Sequence, residues 1–264
     1  MAGHDFILAL GAPVFTYHVE GFGPHLPDGA ELVQLIDNPD MAAWTPDGMS
    51  IVTSLKHGVR DLLAAPEPCL RAPPKPRKPA PRLSGKPLTD RYLLQQVAAL
   101  RPEGAVIVEE APSSRGPMHD YLPITDKDGF YTCASGGLGH GLPAAIGVAL
   151  GRPNEKIIAI LGDGSSMYSI QGLWTAARLG LAVSFVIINN ERYEALHEFG
   201  RLFELDVLPG AELPAIDFCG VAEGLGISAV RIDRAEELDE ALVRSFSATA
   251  PTLVEVKVDV AHKT

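Results

Sequence analysis

Two uninterrupted apolar runs, Ile157–Leu161 and Ala182–Ile188, separated by the helix-patterned segment Ile170–Leu179, constrain the fold more than any other feature of the chain. Strands apolar on both faces must be covered on both faces, and a helix between two such strands predicts a parallel crossover. The same alternation extends over the second two thirds of the sequence. Leu88–Leu100 reads as an amphipathic helix with Thr89 or Asp90 near its start, Ala105–Val108 as a strand, and Gly139–Leu150 as an Ala/Gly-rich helix. Helices over Asp217–Leu225 and Ala235–Ser247 and strands over Ala229–Ile232 and Thr252–Val258 complete the series. The predicted class is therefore α/β, a parallel sheet with helices on both faces.

Between Pro66 and Pro87 eight prolines interleave with Arg71, Lys75, Arg77, Lys78, Arg82 and Lys86. Proline at this density opposes helix and sheet pairing, so residues 66–87 read as an extended basic linker and 88–264 as the main domain. Ahead of it, Phe6–Leu10 and Glu31–Asp37 read as short buried strands joined through the Gly/Pro-rich stretch Gly11–Pro27. Residues 1–65 are few for an independent α/β unit and read as the tail of a larger domain.

A formal charge of −11 argues against a general nucleic-acid binder, although oriented N–H groups and a metal can hold an anion within an acidic protein. No apolar run is long enough for a bilayer span, and the first residues lack a secretory pattern. Cys69, Cys133 and Cys219 are few and widely spaced, which suits reduced thiols in a cytoplasmic protein.

Gly162-Asp163-Gly164-Ser165-Ser166 follows the first apolar run, and Asn189-Asn190 closes the second. If the two strands are neighbours, about 4.8 Å apart, Asp163 and Asn190 meet at the mouth of the crevice where open α/β sheets bind ligands. A carboxylate and a carboxamide suit Mg²⁺, which takes hard oxygens at roughly 2.1 Å and draws several of them from phosphate and water. Gly162 and Gly164 would let the backbone approach a ligand, and the hydroxyls and N–H groups of Ser165 and Ser166 lie where a phosphate would bind. Gly162–Gly164 alone would be a tight turn; the paired Asn one βαβ unit later makes that reading improbable. No P-loop pattern occurs. The run Gly136–Gly141 fails dinucleotide spacing, because Leu142 stands where a third glycine belongs.

This pattern resembles the signature of thiamine-diphosphate enzymes of the benzoylformate decarboxylase and acetolactate synthase superfamily. Gly11-Ala-Pro-Val-Phe-Thr-Tyr-His18, Ser135-Gly-Gly-Leu-Gly139, Leu142-Pro-Ala-Ala-Ile-Gly147 and Leu173-Trp-Thr-Ala-Ala177 extend the similarity over essentially the whole chain. The resemblance implies thiamine diphosphate and Mg²⁺ as cofactors, with Asp163, Asn190 and the Arg192 carbonyl on the metal and Ser113, Ser114 and Ser165 on the diphosphate. It implies that Leu138 wedges the cofactor into its V shape and that the Gly136 carbonyl accepts from the aminopyrimidine. It makes His18 a catalytic histidine from a central domain, here partial and Rossmann-like over 1–65, and makes Ala195, Leu196 and Phe199 lining of an aromatic substrate pocket.

The departures from the family define what else is needed. The family's first domain carries a glutamate facing the pyrimidine, and no counterpart of that domain is recognised; a separate chain is expected to supply it. Glu191 stands where a glycine is usual, and Glu109 and Glu110 bring negative charge close to the serines. The implied function is one component of a 2-oxo-acid decarboxylase, a lyase inactive alone and acting in an oligomer on a small 2-oxo acid. An acetolactate synthase-like carboligase component and a non-catalytic cofactor-binding fragment are the alternatives.

Overall fold

The computed structural model describes residues 3–15, 23–67, 72, 78–133 and 136–259. They form two compact units, Met1–Pro76 and Arg77–Thr264.

The first unit is a three-stranded parallel sheet of β1 (Phe6–Leu10), β2 (Glu31–Ile36) and β3 (Met49–Val52), with β2 central. Helices α1 (Pro39–Ala43) and α2 (Leu55–Leu63) are each opened by a side-chain cap, from Asn38 and Ser54. Buried Gln34 ties the unit together. It accepts from Thr45 Oγ1 at 2.7 Å and Ser50 Oγ at 3.0 Å, and donates to the Ala12 carbonyl at 2.9 Å. Only β2 matches the expected buried strand. Phe6, Leu8 and Leu10 of β1 are exposed, because among the described residues of this unit no second layer covers that face of the outer strand.

The second unit carries six parallel strands in the order β5-β4-β6-β7-β9-β8. They are β4 (Val106–Glu110), β5 (Phe130–Thr132), β6 (Ile157–Gly162), β7 (Val183–Asn189), β8 (Ser228–Ile232) and β9 (Thr252–Lys257). Helices α3 (Asp90–Leu100), α4 (Arg115–Tyr121) and α10 (Ala235–Ser247) pack through Leu93, Met118 and Leu242 on one face. Helices α5 (Gly141–Gly151), α7 (Gly172–Leu179) and α9 (Phe218–Gly224) cover the other through Ala145, Leu173 and Phe218. The continuous apolar runs are thus explained: alternate residues of β6 and β7 enter opposite cores, as Ile160 and Leu161 do. The parallel sheet with helices on both faces is as expected.

Three local features differ from the sequence reading. α5 begins two residues later than expected, because Gly139 has φ +96°, outside any helix. A short helix α6 (Asp163–Met167) starts directly at Asp163, ahead of α7. Residues 78–87 lack helix and strand, yet Leu83 is bound on both its N–H and carbonyl by Gln95 of α3, at 2.8 and 3.2 Å.

The chain passes from β4 outward to β5 and then returns past β4 to β6. The loops leaving β4 and β6 therefore diverge, and a crevice opens between them at the carboxyl ends of the strands. No helix of the described residues is long and apolar enough to cross a membrane.

Candidate cofactor site

β6 and β7 are hydrogen-bonded neighbours, with Gly162 opposite Ile188. That register places Asp163, the next residue of one strand end, beside Asn189 and Asn190 of the other. The Asp163 carboxylate accepts the Gly164 N–H at 2.7 Å and the Asn190 N–H at 3.1 Å. The Asn190 carboxamide oxygen accepts the Arg192 N–H at 3.2 Å. Asp163 is 4% exposed, and burial raises its carboxyl to about 6, against the opposing pull of N–H groups from Gly164, Glu191, Asn190 and Arg192. Among the described residues no lysine or arginine pairs with it.

A cleft of about 280 Å³ opens over this pair. Of the residues singled out in the sequence, Ser113, Ser114, Leu138, Gly162, Asp163, Gly164, Ser165, Asn190, Arg192, Ala195 and Leu196 line it. Gly136, with φ +73°, and Phe199 on helix α8 (Glu194–Leu202) do not. His18 and Ser135 lie outside the described residues.

Individual roles differ from the expectations. The Ser114 hydroxyl donates to Asp90 Oδ2 at 2.8 Å, and that of Ser166 to the Gly162 carbonyl at 2.7 Å, so both protons are committed. Ser113 and Ser165 make no side-chain hydrogen bond among the described residues, which leaves them available to a ligand. Gly164 lines the cleft and also packs against a neighbouring ring: a methyl group there would collide with Cε1 and Cδ1 of Tyr193. Leu138 is 38% exposed at the cleft, which sets it apart from an ordinary core leucine.

The three acidic residues that looked unfavourable are all turned to structural use. Glu110 accepts from the N–H groups of Gly139, His140 and Gly141 at 2.6, 3.2 and 2.7 Å, so it closes the N-terminus of α5. The glycine-rich run that fails dinucleotide spacing therefore also has its last three N–H groups occupied by a carboxylate. At Gly141 a Cβ would come within 2.5 Å of Glu110 Cβ, so this close approach requires glycine. Glu109 accepts from the Ala111 N–H at 2.7 Å, Thr132 Oγ1 at 2.6 Å and Arg115 Nε at 3.1 Å. Glu191 adopts φ +59°, the conformation its usual glycine would take, and its carboxylate pairs with Lys257.

The sequence did not single out Tyr168, Tyr193, Glu194 or Gly210, which also line the cleft. Glu194, almost buried, pairs with Arg192 Nε and Arg201 at 2.7 Å each. The i,i+7 spacing of Glu194 and Arg201 on α8 was the available signal. Tyr168 and Tyr193 depend on turns that no periodicity announces.

A divalent cation fits this donor set. Asp163 offers a buried carboxylate with no cationic partner, Asn190 a carboxamide oxygen and Arg192 a backbone carbonyl, all hard oxygens suited to Mg²⁺. Fold and site together define a parallel α/β domain with a cleft at its switch point, lined by oxygen donors of the kind a divalent cation takes.

Comparison with known proteins makes the assignment specific. Residues 113–256 match the thiamine pyrophosphate enzyme C-terminal TPP binding domain, and the chain belongs to that family. It is 39% identical over 256 residues to benzoylformate decarboxylase of Pseudomonas aeruginosa, covering 96% of this chain and 48% of that protein. It is 31% identical over 181 residues to the acetolactate synthase isozyme 1 large subunit of Escherichia coli, covering 67% of this chain and 32% of that protein. The solved thiamine diphosphate-dependent 4-hydroxybenzoylformate decarboxylase of Rhodococcus jostii RHA1 superposes with a TM-score of 0.91 at 35% identity, covering 99% of this chain and 50% of that one. The chain thus spans about half the length of the relatives it matches.

Proposed function

We propose that this chain holds the diphosphate and Mg²⁺ of thiamine diphosphate within a 2-oxo-acid decarboxylase of benzoylformate decarboxylase type. The observation carrying this reading is the convergence of Asp163 and Asn190 from adjacent strand ends on one cleft. Asp163, Asn190 and the Arg192 carbonyl hold the cation. Ser113 and Ser165 donate hydroxyls to diphosphate oxygens, and the cation neutralises the charge that an acidic protein would otherwise repel. Bound thiamine diphosphate supplies the electron sink for breaking a bond next to a carbonyl.

The remaining residues orient and enclose. Leu138, 38% exposed at the cleft, would lie against the bound cofactor, and Gly136, two residues before it, would offer its carbonyl to the aminopyrimidine. Ala195 and Leu196 form an apolar wall for the organic group of a small 2-oxo acid, with Phe199 behind them on the same helix. The aminopyrimidine end needs a carboxylate of its own. The two carboxylates on the cleft wall are already committed, Asp163 to the cation and Glu194 to Arg192 and Arg201. We assign that group to a pyrimidine-binding segment outside these residues.

A carboligase component of acetolactate synthase type would share this half of the site. The decarboxylase reading is favoured because identity to the Pseudomonas enzyme is 39% over 96% of the chain, against 25% over 97% for a putative acetolactate synthase large subunit of Mycobacterium tuberculosis. An assay with benzoylformate, thiamine diphosphate and Mg²⁺ tests it. The chain alone should release no CO₂ and should do so once the complementary segment is added. Turnover by the chain alone would overturn the need for that segment.

A further inference from the structure

One buried carboxylate of the second unit lies outside the cleft wall and has no evident reason to be where it is. Glu255 is fully buried at the centre of β9, on the sheet face covered by α5, α7 and α9, where its neighbours Leu253 and Ile187 are core residues. Burying a carboxylate there is costly unless each oxygen is satisfied. One oxygen receives Arg231 Nε at 2.9 Å, with the Cys219 thiol at 3.5 Å. The other receives Asn189 Nδ2 at 2.7 Å, the end of β7. Asn189 is itself 2% exposed, and its carboxamide oxygen accepts the Glu191 N–H at 3.0 Å.

A carboxylate only accepts hydrogen bonds, so it dictates which way the Asn189 amide faces. The NH₂ must turn to Glu255, and the oxygen must turn to the Glu191 N–H. This contact braces residue 191 in its left-handed conformation, and residue 191 links Asn190 to Arg192. We infer that Glu255 is a positioning residue: through Asn189 it fixes the 189–192 turn that presents Asn190 and the Arg192 carbonyl to the cation. This rests on the proposed cofactor reading, but its first consequence belongs to the metal-free chain.

The test compares wild type with Glu255→Leu, Asn189→Ala, the double variant, and Ser184→Ala as a control. Ser184 is fully buried at the opposite end of β7, where its hydroxyl donates to the Ser245 carbonyl at 2.8 Å, so its loss weakens the sheet without touching the turn. Amide exchange at Glu191 in the metal-free chain should accelerate at least tenfold in Glu255→Leu and Asn189→Ala. The double variant should be no faster than either single one, and Ser184→Ala should leave that amide unchanged. If Glu255→Leu does not fold, Glu255→Gln takes its place: its carbonyl must face Arg231, so its NH₂ meets Asn189, and the Glu191 N–H should lose its acceptor and exchange faster. Mg²⁺ titration in excess thiamine diphosphate should then show at least a tenfold weaker midpoint for both single variants and no change for Ser184→Ala. Exchange at Glu191 unaltered by Glu255→Leu, or additive effects in the double variant, would overturn the inference. Wild type that shows faster variant exchange yet takes up no Mg²⁺ and thiamine diphosphate would overturn the cofactor reading and leave the bracing of the turn standing.

Discussion

The Asp163 carboxylate accepts the backbone N–H of Asn190 at 3.1 Å, across the ends of two adjacent parallel strands. This contact links the two halves of the candidate metal site before any ligand is present. It also makes Asp163 a buried acid surrounded by N–H dipoles rather than by a cation, and that has a measurable consequence.

Burial holds the Asp163 carboxyl at about 6, above its ordinary 3.8. A group raised on folding binds its proton more tightly in the native chain than in the unfolded one. Between about pH 6 and 3.8 stability therefore increases as pH falls, and above pH 6 the full cost of the buried charge is present. Asp163→Asn removes this dependence. Urea unfolding of the metal-free proteins should show wild type gaining about 2 kcal/mol on the variant between pH 7 and pH 4. With Mg²⁺ and thiamine diphosphate at pH 7 the order should shift towards wild type again, because only the carboxylate holds the cation well.

Glu110→Ala should be among the more damaging single changes in the second unit. It removes the acceptor for three N–H groups at the start of α5, charge-assisted bonds whose loss in a buried setting costs about 3 kcal/mol. Glu110→Gln keeps one acceptor oxygen and should fall between. Thermal unfolding of the three proteins checks the order. Equal melting temperatures would mean that the helix start is closed some other way.

Leu138→Ala separates a ligand-facing leucine from a structural one. At 38% exposure it should cost about 1 kcal/mol or less, whereas truncating the fully buried Leu161 should cost about 2–5 kcal/mol. Affinity for thiamine diphosphate should follow the opposite order when each variant is measured under folding conditions. A large stability loss for Leu138→Ala would return it to the core.

Much of this architecture is legible in the residues because burial on two faces leaves an unambiguous mark. Ala235–Ser247 forms the expected helix residue for residue, and β6 and β7 lie where their apolar runs placed them. The pairing of Asp163 with Asn190 follows from two strand ends and a parallel crossover. Short elements stay hidden: β3, β5, α1 and α4 have 3 to 7 residues each, too few to show a period. The acidic residues were harder still. Glu109, Glu110 and Glu191 look hostile to an anion site until the structure shows what each one accepts. Their partners come from residues such as Thr132, Gly139 and Lys257, and only the folded chain brings these close.

The central claim is that Asp163 and Asn190 share a cation that holds a diphosphate. Calorimetric titration of thiamine diphosphate into the chain, with Mg²⁺ and then with the metal chelated, tests it most directly. The account predicts saturable binding that requires Mg²⁺ and is lost in folded Asp163→Ala and Asn190→Ala proteins. Binding indifferent to Mg²⁺ and to both substitutions, or no binding at all, would contradict it.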